Sequence, residues 1–411
     1  MPPVPYSQTR EHLIHLLTEA AEQEHNILCS YLYAAFSLKN GVEDGLSERE
    51  AATVAQWRRV ILNVAVEEMG HLAIVNNLLV AVGGAPHFDR PNLPVAEGYL
   101  PTCFTVRLTP FDEATLDHFI YLEHPEGSSI QDHDTFGSEA KIARQVKDIQ
   151  LTPSAGDYET IAELYGMIRE GLRSLVARRG SVAFVRDCGA RQIGPDVVDL
   201  PGVSSITDLP TALQALNIIV EQGEGSSQEA EDSHFARFNA IRSEWAELKS
   251  SRPAFEPAHS AARNPVMRRP ADPTNRVWIT APEAVRHLDL ANAIYGQVLV
   301  LLEQTYAPSV GAADRRAFFQ AAMSLMRALS LLGQKLARMP ASPDHPGVMA
   351  GLTFTVPRNL GARGPGSAAL VLERLGELSA AYKDVVADQD PSPVEQAHQQ
   401  IEKQILRRQR A

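Results

Sequence analysis

VEEMGHLAIVNNLLVAVGG, residues 66–84, decides how the rest of this chain reads. It closes on Gly83-Gly84, a helix stop, and the pattern feeding it starts at Ser47, with Glu50 three residues later as in a capping box. Between those signals Val54, Trp57, Ile61, Val64, Glu68, His71, Val75, Leu78 and Val82 recur in steps of three and four. Such steps keep all of them on one helix face. Seven are apolar, but Glu68 and His71 interrupt the stripe at its middle. A lone carboxylate there is costly unless it is paired or takes up a proton. Glutamate and histidine three residues apart project together and can bind one metal ion from one helical turn.

The same anomaly recurs upstream. Leu13, Leu17, Ala20, Glu24, Ile27, Tyr31, Ala34 and Leu38 form a stripe with Glu24 near its middle. His25 points about 100° away and is expected to support the site from outside or to sit at the surface. Tyr31 lies two turns from Glu24 on the same face; an ordinary core tyrosine is its default reading, an electron relay the alternative. Further along, His234, Phe238, Ile241, Trp245 and Leu248 make another inward stripe. Glu163 lies opposite the apolar stripe of its own helix and shares a face with Glu159, Gly166 and Glu170. Glu224 continues the line Leu213, Asn217, Val220, whereas Glu221 is rotated off it, and Glu231 stands three residues before His234.

Taken singly, each residue has a plainer explanation. An inward histidine is ordinarily a hydrogen-bonded core residue, and an inward glutamate can be half of a buried ion pair, here with Arg58, Arg59, Arg169 or Arg173. Residues 223–232 read equally well as a solvated turn. The combination points elsewhere. Inward glutamate, E-x-x-H, and later glutamate and histidine in long helices match a carboxylate-bridged pair of metal ions.

Long helical patterns run through the whole chain, at 9–39, 47–84, 158–178, 209–222, 231–249, 282–306, 313–338 and 367–386. The fold class expected is therefore all-α. Residues 9–250 should form the metal-binding bundle, with an irregular insertion at 85–150 that contains a short helix at 113–122 and a short strand at CFTVRL. A proline-rich linker at 251–279, a C-terminal helical region at 280–390 and a charged tail at 391–411 would follow. The formal charge of -12 offers nothing to match phosphate, so no nucleic-acid partner is expected. Three well-separated cysteines and no apolar run of about 20 residues point to a cytoplasmic protein without a membrane partner.

These pieces together resemble a known family. EHNILCSYLYAAFSL (24–38), VEEMGHLAIVNNLLVAVGGAPHFDRPNLP (66–94), TIAELYGMI (160–168), IVEQGEG (219–225) and SHFARF (233–238) are similar to the ferritin-like iminophenyl-pyruvate dimer synthases. Their domain also occurs in the bisindole-forming enzymes of violacein and rebeccamycin biosynthesis. The resemblance implies a ferritin-like four-helix bundle with a long insertion between helices 2 and 3 and added C-terminal helices. It implies metal ligation by Glu24, Glu68, His71, Glu163, Glu221 or Glu224, and His234, with the fourth helix broken at the site; the alternative is that Glu231 partners His234. It further implies two metal ions, iron first and manganese or copper as alternatives. The activity implied is oxidation or oxidative coupling of a small amino-acid-derived imine or enamine by dioxygen or peroxide, in a chain expected to be a homodimer. A ferroxidase or iron-handling protein, or a non-catalytic helical binding bundle, are the competing expectations.

Overall fold

The computed structural model describes residues 9–96, 98–101, 105–125, 128, 130–137, 144, 152–223, 232–308, 310–361, 364, 367–386 and 392–410. Among them are eleven α-helices and a single two-residue strand pair, β1 (Pro265–Val266) with β2 (Val277–Trp278), so the all-α expectation holds.

Helix boundaries follow capping chemistry. α1 (Arg10–Ser37) begins after Thr9, whose side chain accepts the His12 N–H. α2 (Glu48–Val82) opens on the capping box formed by Ser47 and Glu50 and closes on Gly83 at φ 93°, where glycine alone is unstrained. α3 (Glu113–Leu122) and α4 (Asp134–Gly137) lie in the insertion. α5 (Ile161–Arg179), α6 (Leu209–Gln222) and α7 (His234–Ser251) start at Thr160, Asp208 and Ser233, each accepting a backbone N–H.

α1 packs on α2 and α5, while α6 touches α5 and α2 and α7 also touches α2. This is a four-helix bundle whose fourth member is split into α6 and α7. α3 packs on α7. The opposite side of α1 and α2 is covered by α8 (Pro282–Tyr306) and α9 (Ala312–Leu336), on which α10 (Ser367–Val386) and α11 (Pro393–Arg410) rest. Tyr306 ties α8 to α2 by donating towards the Ala73 carbonyl and Asn77 Oδ1, both at 3.2 Å. α1 and α2 are thus covered on two sides. That explains why α2 is apolar enough by length and composition to cross a membrane, although 83% of its apolar window is buried inside the molecule.

Three expectations need adjusting. Thr105 to Leu108 form no strand, and residues 103 and 104 of the CFTVRL segment lie outside the described residues. The proline-rich stretch at 251–279 is packed, with Phe255 and Ala262 fully buried and the Tyr33 hydroxyl donating to the Ala262 carbonyl. The charged tail forms α11, because Val394, Ala397 and Ile401 recur on one face and are buried.

An aromatic cluster joins α2 to α7. Trp57 is fully buried, stacks on Trp245 at 5.7 Å and donates its indole N–H to Glu244 at 2.7 Å. Replacing it with alanine leaves a cavity and an unpaired acceptor. Trp57→Ala is expected to lower stability by about 3–5 kcal/mol in a urea melt; a loss under about 1 kcal/mol would contradict this packing.

Candidate metal centre

The bundle brings five side chains from four helices together at its centre. Glu24 comes from α1, Glu68 and His71 from α2, Glu123 from the residue that closes α3, and His234 from the first position of α7. All five are buried. They form two triads, Glu24–Glu68–His71 and Glu68–Glu123–His234, and within each the candidate ligand atoms lie within 4.8 Å of one another. Glu68 belongs to both. Its Oε2 is 2.8 Å from His71 Nδ1 and its Oε1 is 3.0 Å from His234 Nδ1. Glu24 Oε2 lies 3.6 Å from His71 Nδ1, and Glu123 Oε2 lies 3.4 Å from His234 Nδ1.

Outer contacts fix the orientation of these groups. His71 Nε2 meets Gln222 Oε1 at 3.0 Å, and His234 Nε2 meets Glu67 Oε2 at 2.7 Å. Arg237 holds the same Glu67 carboxylate at 2.9 Å. With Nε2 donating outward, each ring presents Nδ1 to the triads, the usual arrangement for a metal-bound imidazole. Tyr165 donates to Glu24 and Tyr31 donates to Glu123. Tyr31 is accordingly a buried partner of one carboxylate.

His234 Nδ1 tests whether a cation fits. It is buried, lies close to two carboxylate oxygens and makes no hydrogen bond of acceptable geometry. A lone pair facing carboxylates is repelled unless a proton or metal ion intervenes. The electrostatics say the same. Burial disfavours charge on His71, but the carboxylates, Glu68 foremost, push it up to about 10. Despite burial, Glu123 and Glu68 hold His234 well above the ordinary histidine range. Burial would raise Glu68, yet His71 and His234 keep it well below the carboxylate range. Burial, then the Glu68 charge, pushes Glu24 up to about 8. Without metal, protons supply the positive charge that the carboxylates demand.

Not every residue read from the sequence stands here. Glu163 is exposed in the first turn of α5, where its carboxylate accepts the Glu159 N–H at 2.7 Å. Two residues on, Tyr165 reaches Glu24 instead. Glu221 is exposed, and its neighbour Gln222, turned by one helical step, touches His71. Glu224 and Glu231 lie outside the described residues. The break in the fourth helix falls where expected, between Gln222 and His234. His25 is buried on the other side of α1, not at the surface, with Nε2 2.5 Å from the Tyr295 hydroxyl. Arg58 and Arg169 do not compensate the glutamates; they bond to the Leu38 and Lys39 carbonyls and to Asn217.

Glu123 was missed because it sits in the proline-rich insertion. The signal was present: Leu116, Phe119 and Glu123 continue one face of α3, so the stripe-breaking criterion applied to Glu68 would have found it. Beside the five groups lies a small pocket of about 20 Å³, walled by Ile161, Ala162, Ile219, Val220 and Gly223.

An inward-facing carboxylate and histidine set in a broken four-helix bundle defines a class, and comparison with known proteins agrees. The ferritin-like family profile matches residues 17–243, and the chain belongs to that family. Among its relatives are dichlorochromopyrrolate synthase of Lentzea aerocolonigenes, 28% identical over 77% of this chain and 33% of that protein, and 2-imino-3-(indol-3-yl)propanoate dimerase of Chromobacterium violaceum, 26% identical over 83% and 34%. The resemblance to this group of ferritin-like proteins holds, and the chain spans about a third of the length of each. A ferritin-like protein from Caulobacter vibrioides shares the fold, with a TM-score of 0.50 and 20% identity over 85% of this chain and 100% of its own.

Two outcomes follow for metal uptake. Glu123→Ala is expected to cost at least half of the bound metal measured by elemental analysis, while Glu163→Ala leaves it unchanged; the reverse order would contradict the assignment. Entry of metal must displace protons held by Glu24, His71 and His234, whose proton affinities are all raised. Affinity should therefore fall as pH drops from 8 to 6, with protons released on binding, in a chelator competition. A pH-independent affinity would contradict the protonated metal-free site.

Proposed function

We propose that this chain is a dinuclear-metal oxidase that uses dioxygen or peroxide to oxidise, or oxidatively couple, a small amino-acid-derived imine or enamine. The observation that carries this reading is the shared Glu68: two triads that meet in one carboxylate describe two adjacent cation sites. Charge supports it. Three carboxylates and two neutral imidazoles carry three negative charges, close to what two divalent ions require, while Glu67 is balanced by Arg237.

Each cation site draws on two carboxylates and one imidazole. Three protein ligands leave coordination positions open, as a catalytic site needs and a closed structural site does not. Mixed carboxylate and imidazole donors suit iron first, with manganese or copper also able to use them. Of the two described cysteines, Cys29 faces away from the triads beside Tyr295 and Cys188 bonds to the Ile206 carbonyl. Bound there, a redox-active ion pair would supply electrons for reducing dioxygen or peroxide. The chain's own residues orient and shield. Tyr165 and Tyr31 hold the outer carboxylates, Gln222 and Glu67 hold the imidazoles, and the aliphatic walls exclude bulk water.

The pocket at the triads has room for about one water-sized molecule, so dioxygen fits there. That size also suits an iron-handling protein, and one experiment separates the two. Iron-loaded protein is supplied with dioxygen and with an aromatic imine made in place by an amino-acid oxidase, and products are read by mass spectrometry. Coupled or oxidised imine, abolished by Glu123→Ala, is the expected result. Dioxygen consumption by ferrous iron that never yields an imine product would leave the iron-handling reading in place and overturn the oxidase.

A further inference from the structure

The second large feature of the molecule lies on the far side of α1 and α2. His25, Met69 and Leu72 immediately follow Glu24, Glu68 and His71 in sequence, and they face a different space. That space is an apolar cavity of about 250 Å³ between the α1–α2 pair and the α8–α9 pair. One helix thickness, about 10 Å, separates it from the triads.

Its walls have a specific chemistry. Phe88, Phe319, Phe354 and Tyr295 supply aromatic rings, and Met69, Met323 and Met326 supply polarisable sulfur, a pairing that favours a flat aromatic guest. Among the described residues no acidic side chain lines it, in a chain with a net charge of -12. Among the described lining residues Arg327 is the one permanent charge, and a second arginine, Arg90, lies behind the wall rather than in it. Arg327 stands exposed at the mouth beside Met326 and Ser330, and its described partners are the neutral oxygens of Ser324 and Gln396. Arg90 is buried behind Tyr295 and donates to the Tyr295 hydroxyl at 3.1 Å and the Phe354 carbonyl at 2.6 Å. Among the described residues neither arginine has a carboxylate partner. A buried guanidinium without a counter-ion is costly, and its field favours an anion nearby.

We propose that this cavity binds an aromatic monocarboxylic acid, with the ring among the phenylalanine and methionine side chains and the carboxylate at Arg327. Size agrees. A cavity of about 150 Å³ accepts benzene, so one of this volume suits a bicyclic ring with a short acid chain. The ligand would press on the helices that carry the metal-binding groups without touching those groups, so the site stands whether or not the metal reading does.

Calorimetric titration of the full chain with indole-3-propanoate tests this, with 3-(indol-3-yl)propan-1-ol as the uncharged comparison. Each titration is run on protein as purified and after chelator treatment, so loss of metal and loss of the cavity are read separately. The acid should bind one per chain more tightly than the alcohol, in both preparations. Arg327→Ala should weaken the acid by about fivefold and leave the alcohol unchanged, the range of a partly exposed ion pair. Met326→Trp should close the mouth and abolish binding of both; Ser330→Trp repeats the block from a second position should the first variant fail to fold. Absence of saturable binding, equal affinity for acid and alcohol, or affinity untouched by both tryptophan variants would overturn the proposal.

Discussion

A carboxylate buried at the middle of α2 between two imidazoles is the constraint on which the rest of this structure depends. Glu68 is 3% exposed, so bulk water does not solvate its carboxylate. A charge in that position must be matched by neighbours or it neutralises itself. His71 matches it from the same helical turn, and His234 matches it from the start of α7. Those two histidines are in turn fixed by Gln222 and Glu67, so the constraint spreads outward through α6 and α7.

That demand also accounts for the architecture around it. The insertion between α2 and α5 does more than cover the bundle, since α3 delivers Glu123 to the second triad and packs on α7. The C-terminal helices have a different role. By covering the outer side of α1 and α2, they turn a bundle wall into a shared partition, with carboxylates and imidazoles on one side and an arginine-flanked apolar cavity on the other. Consecutive residues on the same helix serve opposite faces, as in Glu24 with His25 and Glu68 with Met69.

The partition explains which parts were legible in the sequence. The boundaries of α2 could be read closely because Ser47 and Gly83 state them chemically. Glu24, Glu68, His71 and His234 could be read because each interrupts a long apolar stripe, a signal that depends on the local period alone. Glu163 and Glu221 came from the family pattern rather than from a stripe, and both face solvent. Glu123 caps a ten-residue helix in the proline-rich segment, and its line with Leu116 and Phe119 shows only when that short helix is read by the same criterion as the long ones. Glu67 and Gln222 support imidazoles from the far side, and no local pattern marks such a role. The cavity was illegible because its walls are drawn from residues some 300 positions apart, from His25 to Phe354.

The central claim is that one carboxylate serves both cation sites, and metal content of wild-type and Glu68→Gln protein loaded with ferrous iron tests it most directly. The variant keeps the size of the side chain and removes its charge. The account predicts about two ions per chain in the wild type and loss of both in the variant, because each triad uses Glu68. A variant that retains one full equivalent, or a wild type that binds none, would contradict a shared centre.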